Sequence, residues 1–215
     1  MPRTRKIIVG ITGASGAPYA RRLLQMLHHT ETQVHVVITD AGRRLLSDEL
    51  NVPDVSDLAG LLALPPGSVV ENFVLHHNRD IGSSIASGSF PVDAMVIVPC
   101  SGNTLAAVAA GLGDNLLRRA AAVTLKERRH LILCHRETPL SLPDVRNMAS
   151  LTEAGAVVMP LTPGFYLHPR NIDDLVDFMV GRILDQLGVE HQLDVRWQSG
   201  NSDAAAHSSD GKTRK

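Results

Sequence analysis

The feature that most constrains the fold is a recurring alternation of short apolar runs with helical stretches. KIIVGIT (6–12), QVHVVIT (33–39), AMVIVPC (94–100), HLILCHR (130–136) and AVVMPLT (156–162) are nearly continuous apolar runs, rich in β-branched residues. A strand that is apolar on both faces must be covered on both faces, which favours a parallel sheet over a half-solvated antiparallel one. Stretches 18–29, 104–112, 115–127, 143–155 and 171–188 lie between or after these runs, with apolar residues at helical spacing, such as Tyr19, Leu23, Leu24 and Leu27 in the first. The pattern predicts a single-domain α/β fold with a doubly wound, mainly parallel sheet. Residues 41–92 are less regular, with one further short strand expected near 69–75 and a Ser/Gly-rich loop at 81–90.

Composition narrows the function classes. A length of 215 residues with 44% hydrophobic content suits one core-forming domain, and a net charge of -1 offers no basic footprint for nucleic acid. The apolar run near the start is too short for a membrane span and breaks at glycines, so a cytoplasmic protein with no membrane partner is expected. Cys100 and Cys134 have no CxxC or Cys/His spacing around them, which leaves a disulfide framework and a metal site unsupported. From Gln198 to Lys215 the chain lacks any Ile, Leu, Val, Met or aromatic residue. The expectation is a domain over 1–197 followed by a polar, disordered tail over 198–215.

In open parallel sheets, ligands bind beyond the carboxyl ends of the strands, so the residues after each run carry the functional signal. After the first comes Gly10-Ile-Thr-Gly13-Ala-Ser15-Gly16, leading into a helix whose amides would face a phosphate or an electron-rich ring. Its GxxGxxG spacing is also what a tight βα turn requires. Thr39 and Asp40, after the second run, suit either a ribose contact or a helix cap. Ser101, Gly102, Asn103 and Thr104 place two hydroxyls and an amide at another helix start, where the alternatives are again ligand donors or caps. Arg136 and Glu137 pair an anion holder with a proton donor, or form a structural ion pair. Tyr166 stands on a turn stiffened by Pro160, Pro163 and Gly164, as a ligand contact or as packing. Arg119, Lys126 and Arg182 are surface charges unless they converge on one anion.

Taken together, GITGASG (10–16), SSIASGSF (83–90), PCSGNTLAAVAAGLGDNLLRRAA (99–121), LKERRHLILCHRETPL (125–140) and PGFYLHPRNIDDLVDFMVGRILDQLG (163–188) resemble the UbiX-type flavin prenyltransferase family, in the same order across residues 5–197. The resemblance implies a homo-oligomer, typically a dodecamer. Its reaction joins a dimethylallyl group from dimethylallyl phosphate to N5 and C6 of reduced FMN, without a metal, and a UbiD-type decarboxylase, commonly in ubiquinone synthesis, receives the product. Carried over by position, Gly13, Ala14, Ser15, Thr39, Ser101, Gly102, Asn103, Thr104 and Arg136 would contact FMN, with Ser15 close to N5. Glu137 would move a proton to and from the phosphate, and Glu49 is a second acid near the prenyl site. Ser87, Gly88, Ser89, Arg119, Lys126, Tyr166 and Arg182 would bind the donor, some of them from a neighbouring subunit. Trp197 matches an aromatic that helps cover the site.

Rival readings are an FMN-dependent cysteine decarboxylase, a non-catalytic flavin-binding module and a nicotinamide-binding domain. The first needs a histidine base and a substrate insertion that match poorly here. The second has no use for the polar set Arg136, Glu137, Tyr166 and Arg182. The third conflicts with the glycine spacing.

Overall fold

The computed structural model describes residues 4–193. Six strands, β1 (Lys6–Ile11), β2 (Gln33–Ile38), β3 (Phe73–His77), β4 (Ala94–Cys100), β5 (His130–His135) and β6 (Val157–Val158), form one sheet in the order β3-β2-β1-β4-β5-β6. Every pairing is parallel. The helices are α1 (Ala17–His28), α2 (Asp40–Leu50), α3 (Leu58–Leu61), α4 (Gly102–Ala109), α5 (Leu116–Lys126), α6 (Leu142–Glu153) and α7 (Ile172–Leu187). The doubly wound α/β architecture is the one the alternating runs predict.

Strand periodicity sorts the apolar residues into two cores. On β1, Ile7, Val9 and Ile11 face one layer, where Leu23, Leu24 and Leu27 of α1 meet Val180, Ile183 and Leu184 of α7. Ile8 faces the other layer with Met95, Ile97, Leu117, Ala120, Ala121, Leu131 and Leu133. Each fully buried leucine contributes about 1.5–3 kcal/mol, and the small Ala120 and Ala121 let α5 lie close to the sheet.

Two elements differ from the expectation. The 156–162 run is regular strand only at Val157–Val158. Met159 and Leu161 still donate to Leu133 O and His135 O at 2.9 Å, but Pro160 between them has no N–H, a residue tolerated at a sheet edge that ends the regular ladder. The irregular 41–92 region contains α2, of which only Gly42 and Leu46 are buried, so it carries almost no apolar period. Trp197 and the 198–215 tail lie outside the described residues. Among the described residues, no helix is long and apolar enough to cross a membrane.

Candidate active site

The chain leaves β1 toward β2 on one side of the sheet and leaves β4 toward β5 on the other, so a crevice opens between their carboxyl ends. Thr12 spans it at the base. Its buried hydroxyl donates to Pro99 O at 2.7 Å and accepts from the Ser101 amide at 2.9 Å. This residue was missed by sequence reasoning, because its partners lie 87 and 89 positions away.

One lip is the 13–16 turn. Gly13 is required by close approach, since a Cβ there would stand 2.5 Å from Ala41 Cβ, and Gly16 adopts φ 130°, a conformation that favours glycine. Ala14 is buried and Ser15 exposed. The amides at the start of α1, which the sequence offers to a ligand, are taken by the chain itself: Gly16 and Ala17 donate to Glu49 Oε2 at 3.0 and 2.8 Å. Burial alone would raise the Glu49 pKa. Hydrogen bonds from the Ser15 hydroxyl and the two amides, with the charge of Arg136, outweigh it and hold the carboxyl below its usual value. Arg136 reaches the same lip, with Nε donating to Ser15 O at 3.3 Å. Ser15, Glu49 and Arg136 therefore form one connected unit, brought together from three elements.

The other lip is the start of α4. Ser101 caps the helix, accepting from the Thr104 amide at 3.3 Å and donating to Thr104 Oγ1 at 3.1 Å. Thr104 is only 4% exposed and serves the cap, whereas Asn103 is exposed. Gly102 leaves a cradle: a Cβ there would lie 3.3 Å from Asp144 Oδ1 and 3.9 Å from Glu137 Oε2. Glu137 is exposed beside it, its Oε1 accepting from the Thr138 amide at 3.1 Å. Thr39 caps α2, accepting from the Gly42 amide at 3.0 Å, so of its two sequence readings the structure shows the cap.

The remaining candidates fall into two further groups. The end of α5 carrying Lys126 precedes β5, and Arg136 follows β5, so a strand of about 20 Å separates the two edges. Lys126 pairs with Glu127 at 3.2 Å, and the Glu127 carboxylate packs against Gly88. Ser87 and Ser89 share a hydroxyl contact at 2.8 Å, and Arg119 Nε donates to Ala86 O at 3.5 Å. Ser87, Gly88, Ser89, Arg119 and Lys126 thus make a second patch along α5. A third lies on α7, where Tyr166 stands edge-on to Phe178 with ring centroids 5.6 Å apart. Arg182, one helical turn beyond Phe178, pairs with Asp185 at 3.2 Å. No group of three or more His, Cys, Asp or Glu side chains able to hold a metal ion occurs among the described residues.

Comparison with known proteins gives a consistent picture. The Flavoprotein family matches residues 1–184. A relative described as flavin prenyltransferase UbiX, from Thermoplasma acidophilum, is 46% identical over 195 residues, covering 89% of this chain and 99% of its own. The crystal structure of AnUbiX (PadA1) in complex with FMN and dimethylallyl pyrophosphate has a TM-score of 0.83 at 37% identity, covering 92% of this chain and all of that one. A dodecameric FMN-dependent UbiX-like decarboxylase from Escherichia coli O157:H7 has a TM-score of 0.81 at 40% identity, covering 90% of this chain and 99% of that one.

Proposed function

Because this chain belongs to the UbiX flavin prenyltransferases of the flavoprotein family, we propose that the crevice between β1 and β4 holds FMN and that the residues on its two lips run the transfer. The protein is a transferase, moving a dimethylallyl group to reduced FMN. The observation that carries the site assignment is the Ser15, Glu49 and Arg136 unit at the switch point, opposite the Gly102 cradle.

The residues fit a flavin. The two turns offer backbone and small side chains, Gly13, Ala14 and Ser15 on one lip and Ser101, Gly102 and Asn103 on the other, which suits the close approach of a planar ring system. Reduced FMN, when bound, supplies the electron-rich N5 and C6 that accept the prenyl carbons. The Ser15 hydroxyl relays a proton from the reacting ring to the Glu49 carboxylate, which its hydrogen bonds and Arg136 keep ionised. Glu137 hands a proton to the ester oxygen of the departing phosphate. This matters because a monophosphate leaves poorly, and general acid assistance is worth about 10²–10⁴-fold. Arg136 stabilises the charge that builds on the phosphate.

Arg119, Lys126, Tyr166, Arg182 and the 87–89 segment complete the donor pocket, some of them from neighbouring copies in a homo-oligomer, typically a dodecamer. The place of Lys126 at the opposite edge of the sheet from Arg136 supports this reading, as does the dodecameric relative. The donor is dimethylallyl phosphate, the 1–197 segment is the catalytic domain, and the 198–215 tail is an appendage. The prenylated FMN passes to a UbiD-type decarboxylase in the cytoplasm.

The test is a mass spectrum of the flavin after incubation of the protein with reduced FMN and dimethylallyl phosphate. A gain of one five-carbon unit is expected. Unmodified FMN with both the monophosphate and the diphosphate donor would overturn the reading.

A further inference from the structure

The 83–90 loop is fastened by residues outside the proposed site. At its start, Ser83 Oγ lies 2.7 Å from His76 Nδ1, and His76 Nε2 lies 2.8 Å from His35 Nδ1. At its end, the Phe90 ring stands edge-on to His35 with centroids 5.2 Å apart. Lys6 Nζ sits 4.4 Å from the centre of that ring, and Arg129 donates to Gly88 O and Phe90 O at 2.6 and 2.8 Å. The two histidines share a face of the sheet because His35 is in register with Val74, two residues before His76 on the neighbouring strand. Ser87, Gly88 and Ser89 lie between the two fastenings.

We propose that His76 and Ser83, both half-buried, and the buried His35 form a clasp that positions the 83–90 loop for the prenyl donor. They are positioning residues, and the proposal rests on the reading that places Ser87, Gly88 and Ser89 in the donor pocket.

The chemistry of the clasp follows from its spacing. Two ring nitrogens 2.8 Å apart have room for one hydrogen between them. The hydrogen bonds therefore run in one direction, from Ser83 through His76 to His35 or the reverse. Either way the chain ends at His35 Nε2, which is buried and has no partner. A proton on both rings at once would set two N–H groups against each other, so the clasp closes only with one proton or none beyond the neutral pair. Its surroundings agree. Burial, then the neighbouring His76 and Lys6, hold the His35 pKa down at about 4. Burial also lowers His76, against the opposing pull of Asp80. Facing charged groups are thus Lys6 from β1 and Asp80 from the turn after β3, while Asp93 before β4 accepts from the Lys6 amide at 2.7 Å.

The experiment compares wild type with H76A, H76Q and S83A as full-length proteins. It measures hydrogen exchange of the 83–90 amides, steady-state kinetics with reduced FMN and dimethylallyl phosphate, and FMN affinity. Faster exchange is expected in H76A, with the donor KM raised about tenfold, the effect of leaving one buried partner unpaired. kcat and FMN affinity stay within about twofold, the signature of lost ground-state positioning. S83A, which removes a single oxygen and leaves the core packed, shows the same split to a smaller degree, and H76Q restores part of it. Unchanged exchange in both H76A and S83A would overturn the clasp. Faster exchange with an unchanged donor KM would overturn the placing of the loop in the donor pocket while leaving the fastening intact.

Discussion

The β1/β4 crevice and the outer patches on α5 and α7 are built in opposite ways. In the crevice, polar side chains are committed to distant backbone: Glu49 to the start of α1, Thr12 to Pro99 and Ser101, Arg136 to Ser15. On the outer patches the cations pair with carboxylates close in sequence, Lys126 with Glu127 and Arg182 with Asp185. Exposed pairs of that kind contribute only about 0.2–1 kcal/mol, so a phosphate can draw them away at little cost. Under the proposed assignment, the crevice is an acceptor site preset within one chain, and the patches are donor contacts left adaptable.

The largest effect tests the crevice as a chemical site. E137Q keeps the shape of the side chain but not its proton, and prenylation should slow about 10²–10⁴-fold while FMN affinity, followed by flavin fluorescence, stays at the wild-type value. Unimpaired turnover would remove Glu137 from the proton transfer.

Mixed oligomers test the division between the two regions directly. R136A should damage the crevice and K126A the outer patch, each by about 10–100-fold in kcat/KM, the worth of a hydrogen bond to a charged group. If the patches serve neighbouring copies, reassembling the two variants together creates some sites with both cations intact and recovers activity that neither variant has alone. Mixtures no more active than the average of their parents would place every contributing residue in one chain.

T12V sharpens the claim that the crevice is preset. Valine keeps the volume but leaves Pro99 O and the Ser101 amide without their buried partner, costing about 1–3 kcal/mol. FMN affinity should weaken about tenfold and the melting temperature should fall, with T12S restoring both. An affinity unchanged beside a lowered melting temperature would make Thr12 a stabilising residue only.

How much of this was legible in the sequence follows the same divide. Strand runs and the turns after them were legible because burial on both faces leaves a local apolar pattern, and ligand-facing turns follow strand ends. The Thr12 bridge was not legible, since nothing near Thr12 announces Pro99. The Glu49 cap was hidden for the same reason, with its amides 32 and 33 positions away. The start of helix α2 was legible in its Thr39 cap, but its extent was not, because it buries too few residues to show a period. Family resemblance named Glu49 as an acid near the prenyl site, but only the fold reveals what keeps it ionised.

Acid titration should separate the two regions by their pH windows, with the smallest effect of these tests. Unfolded histidines take up protons near pH 6.5, whereas burial holds His35 down to about 4. Between those values the unfolded chain binds more protons than the folded one, so the stability held by the His35–His76 side is complete above pH 6.5 and drains away as pH falls toward 4. Glu49 behaves differently: its lowered pKa contributes stability above the ordinary carboxylate value of 4.5 that is lost only on further acidification, through its folded-state pKa. Acid should therefore loosen the α5 side before the crevice. In H35Q/H76Q the loss between pH 6.5 and 4, on the order of 1–3 kcal/mol, should shrink in melting curves taken at each pH, while the loss below 4.5 remains. E49Q should do the reverse. A double histidine variant with the wild-type slope would show that the upper window belongs to other groups, and the two regions would then no longer be distinguishable by their response to acid.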